Sequence, residues 1–192
     1  MDNTPIGNVS SLVEKINYGF KPDYLFFWGH HARKDGRIGK QCLSQWWYSP
    51  FQIGNISYPT AEHYLMAEKA RLFGDKETHS KILSSTTPDE AKRLGRNTIG
   101  FDEAVWTSHR VGIALRANAA KFSQNDVIGK FLLDTGEKIL VEASPQDTIW
   151  GIGLPEEDPR AAIPQEWQGL NILGFVLMAV RFRLCAGKPE KY

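Results

Sequence analysis

Residues 58–75, YPTAEHYLMAEKARLFGD, form the stretch around which the rest of the chain is organised. Thr60 is a typical helix N-cap, and Gly74 is a typical terminator just past the last apolar residue. Between them, residues 61–73 are helix formers without glycine or proline. The stretch therefore predicts a helix of about three and a half turns with an apolar stripe toward the core.

A carboxylate and an amine share one face of this predicted helix. Glu62, Met66 and Lys69 are spaced i, i+4 and i+7, which places all three on the same side. Two interpretations are open here: the face is solvated, or it lines a pocket. Spacing alone favours a solvated face. The flanking segments are rich in Trp, Gly and Arg, which favours a concave site for a flat, phosphorylated ligand.

The composition indicates one globular domain. With 192 residues the chain is long enough to bury a hydrophobic core. Its formal net charge of +1 argues against binding nucleic acid through overall positive charge. Any nucleic-acid substrate is expected to be recognised locally. Cys42 and Cys185 lie far apart without CxxC spacing, so neither a disulfide framework nor a zinc site is expected.

The sequence contains no recognisable signal or membrane-spanning segment. The start, MDNTPIGNVSS, lacks the basic region and apolar run of a secretory signal. The most apolar segment, residues 170–180, is well short of the roughly twenty residues that a spanning helix needs. It is hydrophobic on all sides, which is typical of a buried central helix. We expect a cytoplasmic protein without a membrane partner.

The local patterns predict one helix-rich α+β domain with about six helices and three or four short strands. This domain is expected over residues 21–186, between an N-terminal arm at 1–20 with one short helical turn and a C-terminal tail at 187–192. Further helical patterns occupy residues 75–83, 88–95, 101–122, 125–135 and 170–180. Strand patterns occupy residues 24–29, 53–58 and 138–144, and loops are predicted at 30–40, 145–155 and 155–168.

Two aromatic groups are candidates for ligand contacts. The segment 43–51, LSQWWYSPF, is called the aromatic loop below, because four of its residues are aromatic. Core packing accounts for some of these rings, and a stacking platform for a base is the second interpretation. Trp106 and Arg110 are spaced i, i+4 on a predicted helix, and they form either a core stack or a clamp for an aromatic ring and a phosphate.

Two loops contain further polar candidates. Residues 145–155 include Asp147, Trp150 and Gly151, and glycines there let backbone amides approach a ligand while an Asp suits ribose hydroxyls. Ordinary turns use the same residues. The adjacent His30 and His31 lack Cys, Asp or Glu at ligand spacing nearby, so no metal site is predicted.

Several segments, taken in order, resemble the NADAR family, also called YbiA-like. The similarity runs from about residue 24 to residue 184 and is specific because many segments agree in sequence order. The matching strings include LSQWW at 43–47, YPTAEHY at 58–64, LGR at 94–96, LVEASP at 140–145 and IWGIG at 149–153.

The resemblance implies an N-glycosidase that cleaves a bond between ribose C1 and a base or amine. The family is associated with two substrate types: ADP-ribose attached to guanine in DNA or nucleosides, and phosphorylated early intermediates of riboflavin biosynthesis. The complete LSQWW, VEASP and IWGIG strings look more like the ADP-ribosylguanine hydrolases. The expected partners are therefore an ADP-ribose-containing substrate, such as single-stranded DNA with a modified guanine, and a functionally paired ADP-ribosyltransferase.

The resemblance and the residue types together suggest roles for nine residues. Glu62 is the first candidate for the acid/base, and Lys69 is the second catalytic candidate, as a covalent nucleophile that needs a lowered pKa. This chemistry requires no metal or redox cofactor. Rival hypotheses are a non-catalytic ADP-ribose- or NAD-binding module and an interaction protein that uses exposed Trp46 and Trp47. The binding candidates are Trp28 and Gly29 for stacking, Trp106 and Arg110 for phosphate contact, and Asp147, Trp150 and Gly151 for the ribose.

Overall fold

The computed structural model describes residues 6–32 and 34–187, and within them the chain forms seven α-helices and four short strands. The predicted helix-rich α+β class is confirmed. The helices are α1 Val9–Asn17, α2 Ala61–Leu72, α3 Lys76–Ser84, α4 Pro88–Arg96, α5 Glu103–Ser123, α6 Asp126–Asp134 and α7 Ile172–Cys185. The strands are β1 Tyr24–Phe27, β2 Phe51–Ile53, β3 Ile56–Tyr58 and β4 Ile139–Glu142.

Helix α2 lies at the centre of the helical layer. The Thr60 side chain accepts a hydrogen bond from the backbone N–H of His63, which caps the helix as predicted. Phe73 is the C-cap and Gly74 has φ +72°, so the helix ends one residue earlier than predicted. Its first ten residues are all buried, because α3, α4 and α5 pack around it. Of the two interpretations of this face, the solvated one is therefore excluded.

Strands β1 and β4 pair in parallel, with Phe27 opposite Glu142. Their carboxyl ends therefore meet at one edge, as expected for parallel neighbours. Strands β2 and β3 form an antiparallel hairpin, turned at Gly54 with φ +58°. The parallel pair lies against α7, and this packing positions the end of β4.

The start of α7 holds β4 through an asparagine in a left-handed backbone conformation. Asn171 has φ 49°, and its side chain donates to the carbonyl of Leu140 at 2.9 Å and accepts from the N–H of Glu142 at 3.0 Å. Gly174 faces the same strand, and a Cβ there would collide with the Leu140 carbonyl oxygen. Close packing of helix on strand thus fixes the backbone that carries Glu142.

The N-terminal region is more ordered than the sequence predicted. Residues 9–17 form a nine-residue helix with an Asn8–Ser11 capping box, where a single short turn was expected. Leu12 is fully buried against the cluster that contains Ile139 and Val141, so α1 is part of the core. Residues 1–5 of the predicted arm and residues 188–192 of the predicted tail lie outside the described residues.

The C-terminal elements differ from their predicted limits. Helix α7 extends to Cys185, beyond the apolar segment that predicted it, because its later turns also pack on the core. The predicted loop at 155–168 contains two short 3-10 helices, Pro159–Ala162 and Pro164–Glu166. Across the described ranges, no helix combines the length and the apolar character needed to cross a membrane.

Candidate active site

Glu62 is the buried carboxyl at the start of α2, with 5% of its surface exposed. Its backbone N–H donates to the carbonyl of Gln45 at 3.1 Å, and its side chain accepts a hydrogen bond from the side chain of Trp46. Burial raises the pKa of the Glu62 carboxyl to about 7, because the charged form loses hydration. This carboxyl therefore changes protonation state in the physiological pH range.

Glu142, a partly buried residue at the carboxyl end of β4, supplies a second carboxyl. Its Oε2 atom is buried and has no hydrogen-bond partner in the described part of the chain. Burial, and then the negative charge of Asp147, raises the pKa of Glu142 to about 8. Lys92 opposes this increase, and Glu62 adds to it. The influence of Glu62 shows that the two carboxyls belong to one electrostatic cluster.

The two carboxyls differ in the groups that favour their charged forms. Lys92, Arg96 and the Trp46 hydrogen bond all favour the charged form of Glu62, whereas Asp147 disfavours it. Lys92 favours the charged form of Glu142, and the negative charges of Asp147 and Glu62 disfavour it. More groups therefore support ionisation of Glu62 than of Glu142.

Helix α4 supplies the cations of this cluster, which the sequence analysis did not assign to the site. The Lys92 ammonium lies 5.5 Å from the centroid of the Trp46 ring. Arg96, at the end of α4, lowers the pKa of both Glu62 and Lys69 through its positive charge. Because α4 packs on α2, the charges of Lys92 and Arg96 lie close enough to Glu62 to affect its pKa.

Lys69 lies two turns after Glu62 on α2 and is also buried. Its ammonium lies 4.1 Å from the centroid of the Phe101 ring and 5.7 Å from that of Trp106. Burial lowers the pKa of Lys69, Arg96 lowers it further, and the negative charges of Glu103 and Glu62 oppose the decrease. The pKa of Lys69 is therefore shifted in the direction that a nucleophilic lysine needs.

The aromatic loop is held in place by buried polar groups of α5. The ammonium of the fully buried Lys121 donates to the carbonyls of Cys42 and Ser44, at 2.7 and 2.8 Å. The side-chain amides of Gln45 and Asn118 exchange two hydrogen bonds, at 2.9 and 3.2 Å. These contacts fix the loop that brings Trp46 to the carboxyl of the central helix.

The comparisons with known proteins identify the fold family. The model of the NADAR domain matches residues 26–185. The chain belongs to the NADAR family. This match confirms the resemblance seen in the sequence. The carboxyl cluster described above lies wholly within the NADAR domain.

Three relatives illustrate the range of proteins similar to this NADAR domain. N-glycosidase R617 of Acanthamoeba polyphaga mimivirus is 39% identical over 163 residues, which cover 82% of this chain and 94% of the relative. The riboflavin biosynthesis protein PYRR, chloroplastic, of Zea mays is 34% identical over 141 residues, which cover 70% of this chain but only 21% of that protein. The NMR structure of the E. coli protein YbiA matches with a TM-score of 0.68 at 26% identity, covering 90% of this chain and 92% of that one.

The predicted stacking residues of the NADAR domain follow β1 at the same edge as Glu142. Trp28 is 60% exposed, and Gly29 has φ +76°, a conformation that favours glycine. The ring of the next residue, His30, lies 5.3 Å from that of Trp46. The structure thus connects Trp28 and Gly29 to the aromatic loop through one intervening ring.

The second predicted pair, Trp106 and Arg110, lies on one buried face of α5. Trp106 belongs to the hydrophobic core cluster around α2, and the Lys69 ammonium lies over its ring. Nη1 of Arg110 is 3.5 Å from a carboxylate oxygen of Glu103. Trp106 is therefore close to Lys69, and Arg110 is paired with Glu103.

The third predicted group mainly stabilises its own loop. Oδ1 of Asp147 accepts hydrogen bonds from the backbone N–H groups of Ile149 and Trp150, at 2.9 and 2.7 Å. The Trp150 ring packs against two hydrophobic clusters of the core. Gly151 is buried, and a Cβ there would lie 2.7 Å from the Glu142 carbonyl oxygen. The glycine accordingly allows the loop to pack onto the protein's own backbone, and its predicted role toward a ribose stays a prediction.

Three site residues were missed: Glu142, Lys92 and Arg96. The sequence offered one signal for Glu142, an acidic residue at the end of an otherwise apolar strand pattern.

A separate open groove of about 600 Å³ lies between α1 and residues 164–167. None of the candidate catalytic residues lines that groove.

Proposed function

We propose that this protein is an N-glycosidase that removes ADP-ribose from ADP-ribosylated guanine. The observation that carries the proposal is the buried carboxyl of Glu62 together with a second carboxyl from Glu142, and the pKa values of both are raised, to about 7 and about 8. Glycoside hydrolysis uses two carboxyls, one that donates a proton and one that acts as a carboxylate. Similarity to N-glycosidase R617 supports the reaction class.

The proposed reaction exchanges the C1–nitrogen bond for a C1–oxygen bond. As the bond breaks, its electron pair moves to the leaving nitrogen, and positive charge develops on C1 and the ring oxygen. The protonated Glu142 donates its proton to the leaving nitrogen. The Glu62 carboxylate stabilises the positive ribose and accepts a proton from the water that attacks C1. The products are the free base and ADP-ribose with a C1 hydroxyl.

Lys69 offers a covalent alternative within the same site. Its neutral amine would attack C1, expel the base and form an imine with the opened ribose, which water then hydrolyses. The lowered pKa of Lys69 supports this role because only the neutral amine is nucleophilic. Borohydride added during turnover would reduce the imine, and mass spectrometry would detect ADP-ribose linked to residue 69. Turnover without such an adduct would assign the reaction to the carboxyl pair alone.

The environment of the pair supports a substrate with a flat base and negative charge. Trp46 provides aromatic surface beside Glu62, the His30 ring lies 5.3 Å from that of Trp46, and Lys92 and Arg96 provide positive charge. Such a site suits one extruded nucleotide, as in single-stranded DNA, better than a long duplex. On this proposal an ADP-ribosyltransferase supplies the substrate, and this protein reverses its product.

A second candidate substrate is a phosphorylated ribosylamine of riboflavin biosynthesis. The similarity to the Zea mays riboflavin biosynthesis protein supports it. To separate the two, the purified protein is incubated with ADP-ribosylated guanine in single-stranded DNA and, separately, with the ribosylamine phosphate. Release of ADP-ribose from the first alone supports a DNA de-ADP-ribosylation activity. Release of ribose phosphate from the second alone contradicts it.

The rival hypothesis of a non-catalytic binding module is tested with Glu62→Gln. An enzyme should lose at least about a hundredfold in kcat while retaining ligand affinity, because general acid–base catalysis is lost. Exposed Glu157→Gln is the matched control and should leave turnover unchanged. Unchanged turnover in Glu62→Gln would remove this carboxyl from the mechanism.

A further inference from the structure

Lys121 on α5 is a fully buried lysine that forms no ion pair within residues 6–32 and 34–187. Its ammonium instead donates to the backbone carbonyls of Cys42 and Ser44, at 2.7 and 2.8 Å. Burying a charge is costly unless its hydrogen bonds are made in good geometry, and both distances are those of charge-assisted bonds. The ammonium therefore holds these two carbonyls firmly.

The two carbonyls lie where a short 3-10 helix ends and the aromatic loop begins. The 3-10 helix spans Lys40–Leu43, and Ser44 is its C-cap, with an extended backbone at ψ 143°. Carbonyls at the end of a helix lack partners within it, and a cation is favourable there. Lys121 thus caps the 3-10 helix and fixes the direction in which the chain enters the aromatic loop.

Ser44 connects Lys121 to Trp46. Its carbonyl accepts from the Lys121 ammonium, and its hydroxyl oxygen accepts from the backbone N–H of Trp46 at 3.1 Å. The one N–H of the Trp46 indole donates to the Glu62 carboxyl. Three hydrogen bonds in series therefore lead from the buried lysine of α5 to the carboxyl of α2.

Asn118 anchors the loop independently of Lys121. Its side-chain amide exchanges two hydrogen bonds with that of Gln45, and the Gln45 carbonyl accepts from the backbone N–H of Glu62 at 3.1 Å. This second connection holds the backbone of Glu62, whereas the connection through Ser44 orients the donor to its carboxyl. Removing the Lys121 ammonium alone should therefore leave the loop attached and change mainly the direction of the indole.

We propose that Lys121 is a positioning residue for the candidate acid/base: by holding Ser44, its ammonium aims the Trp46 indole N–H at the Glu62 carboxyl. The inference rests on the proposed function for the catalytic role of Glu62. Lys121 acts through Ser44 and Trp46 rather than on the substrate. Because the indole hydrogen bond favours the carboxylate form of Glu62, losing its alignment leaves more Glu62 protonated and less of the base available.

The test follows the Trp46 indole N–H by NMR as the pH is varied, without substrate. The chain has six tryptophans, and Trp46→Phe identifies the signal of residue 46. In the parent this signal should titrate with Glu62, and Glu62→Gln should abolish the titration. Lys121→Met should raise the midpoint by about one pH unit, the effect of losing a hydrogen bond to a carboxylate. On the acidic limb of the pH profile, kcat should correspondingly fall about tenfold.

Two more variants separate the hydrogen bonds of Lys121 from its charge. Lys121→Gln removes the charge and keeps N–H donors, so it should raise the midpoint less than Lys121→Met does. Equal shifts in these two variants would assign the effect to the charge alone and overturn the proposal. Ser44→Ala changes no charge and removes the acceptor of the Trp46 N–H, so it should also raise the midpoint.

Arg181→Met is the matched control for the loss of a buried cation. Arg181 is 8% exposed, and its guanidinium donates to the Thr135 hydroxyl at 2.6 Å and to the Lys138 carbonyl at 2.9 Å. This variant should lower the free energy of unfolding and leave the Trp46 midpoint unchanged. A midpoint raised equally in Arg181→Met would show that any buried destabilisation moves the signal, and would overturn the proposal.

An unchanged midpoint in a folded Lys121→Met protein would also overturn it. If Lys121→Met does not fold, Ser44→Ala decides, and an unchanged midpoint there has the same consequence. Because the titration needs no substrate, the expected shifts together with no N-glycosidase activity in the parent would reject the proposed function and keep the positioning of Glu62. Activity in the parent with an unchanged midpoint in Lys121→Met would do the reverse.

Discussion

Glu62→Gln is expected to make the protein more stable at alkaline pH while it abolishes catalysis. The folded-state pKa of Glu62 is raised from 4.5 to about 7 by burial, whereas the unfolded chain titrates near the lower value. Between these values the folded protein holds a proton that the unfolded chain has lost. The stability contribution of Glu62 is therefore greatest below pH 4.5 and decreases as the pH rises to about 7.

The size of the effect follows from the difference between the two pKa values. About 2.5 pH units correspond to about 3 kcal/mol of unfolding free energy, which the parent protein loses between pH 4.5 and pH 8. Glutamine has the same shape and can accept the Trp46 hydrogen bond, but it does not ionise. The variant should therefore have parent-like stability at pH 4.5 and exceed the parent by about 3 kcal/mol at pH 8.

Urea denaturation followed by tryptophan fluorescence, at pH 4.5 and pH 8, measures both free energies. The exposed control Glu157→Gln should show the same pH dependence as the parent. An equal stability difference between Glu62→Gln and the parent at both pH values would contradict a raised pKa, because it would show that Glu62 ionises normally in the folded state. A stability gain at pH 8 with unchanged turnover would confirm the burial and reject the catalytic role.

Three further outcomes are expected. Burial lowers the folded pKa of Lys121 from 10.5 to about 7, so the stability of the parent protein should rise with pH between these values. Lys121→Met should remove most of this rise between pH 7 and pH 9, as measured by urea denaturation. An unchanged rise in the variant would contradict the shift. Trp46→Phe removes a hydrogen-bond donor that favours the ionised form of Glu62, so the pKa of Glu62 should rise. The acidic limb of the pH profile for kcat should therefore move to higher pH, and a shift to lower pH would argue against the hydrogen bond. Gly174→Ala should lower the free energy of unfolding by about 1–3 kcal/mol in thermal denaturation, because the new methyl group collides with the backbone. The control Gly112→Ala, at an exposed helical position, should not lower it.

The helices could be predicted from the sequence because their signals are local. The cap at Thr60 and the terminator at Gly74 correctly bracketed α2. The helical pattern at residues 88–95 likewise corresponds to α4, which has Thr87 as its N-cap and Pro88 as its first residue. These signals act over a few residues through backbone hydrogen bonds and φ preferences, so they need no knowledge of the fold.

The candidate site could be predicted only in part. Glu62 and Lys69 were chosen from helix spacing and a family resemblance, and the structure buries both. Glu142 was not chosen, because nothing in its strand pattern shows which other element will cover its side chain. Residue spacing alone could not decide whether the Glu62 face of α2 is solvated or buried, because its burial depends on α3, α4 and α5 packing around α2.

Local patterns were sufficient to predict the order and type of the main elements, the cap of α2, and the family to which the chain belongs. Which ionisable groups meet depends on tertiary packing. Parallel pairing of β1 with β4 and the docking of α4 on α2 bring Glu142 and Lys92 to Glu62 from distant parts of the chain. Local patterns record backbone preference, whereas pKa values depend on lost hydration and on neighbouring charge, and both exist only after the elements have packed.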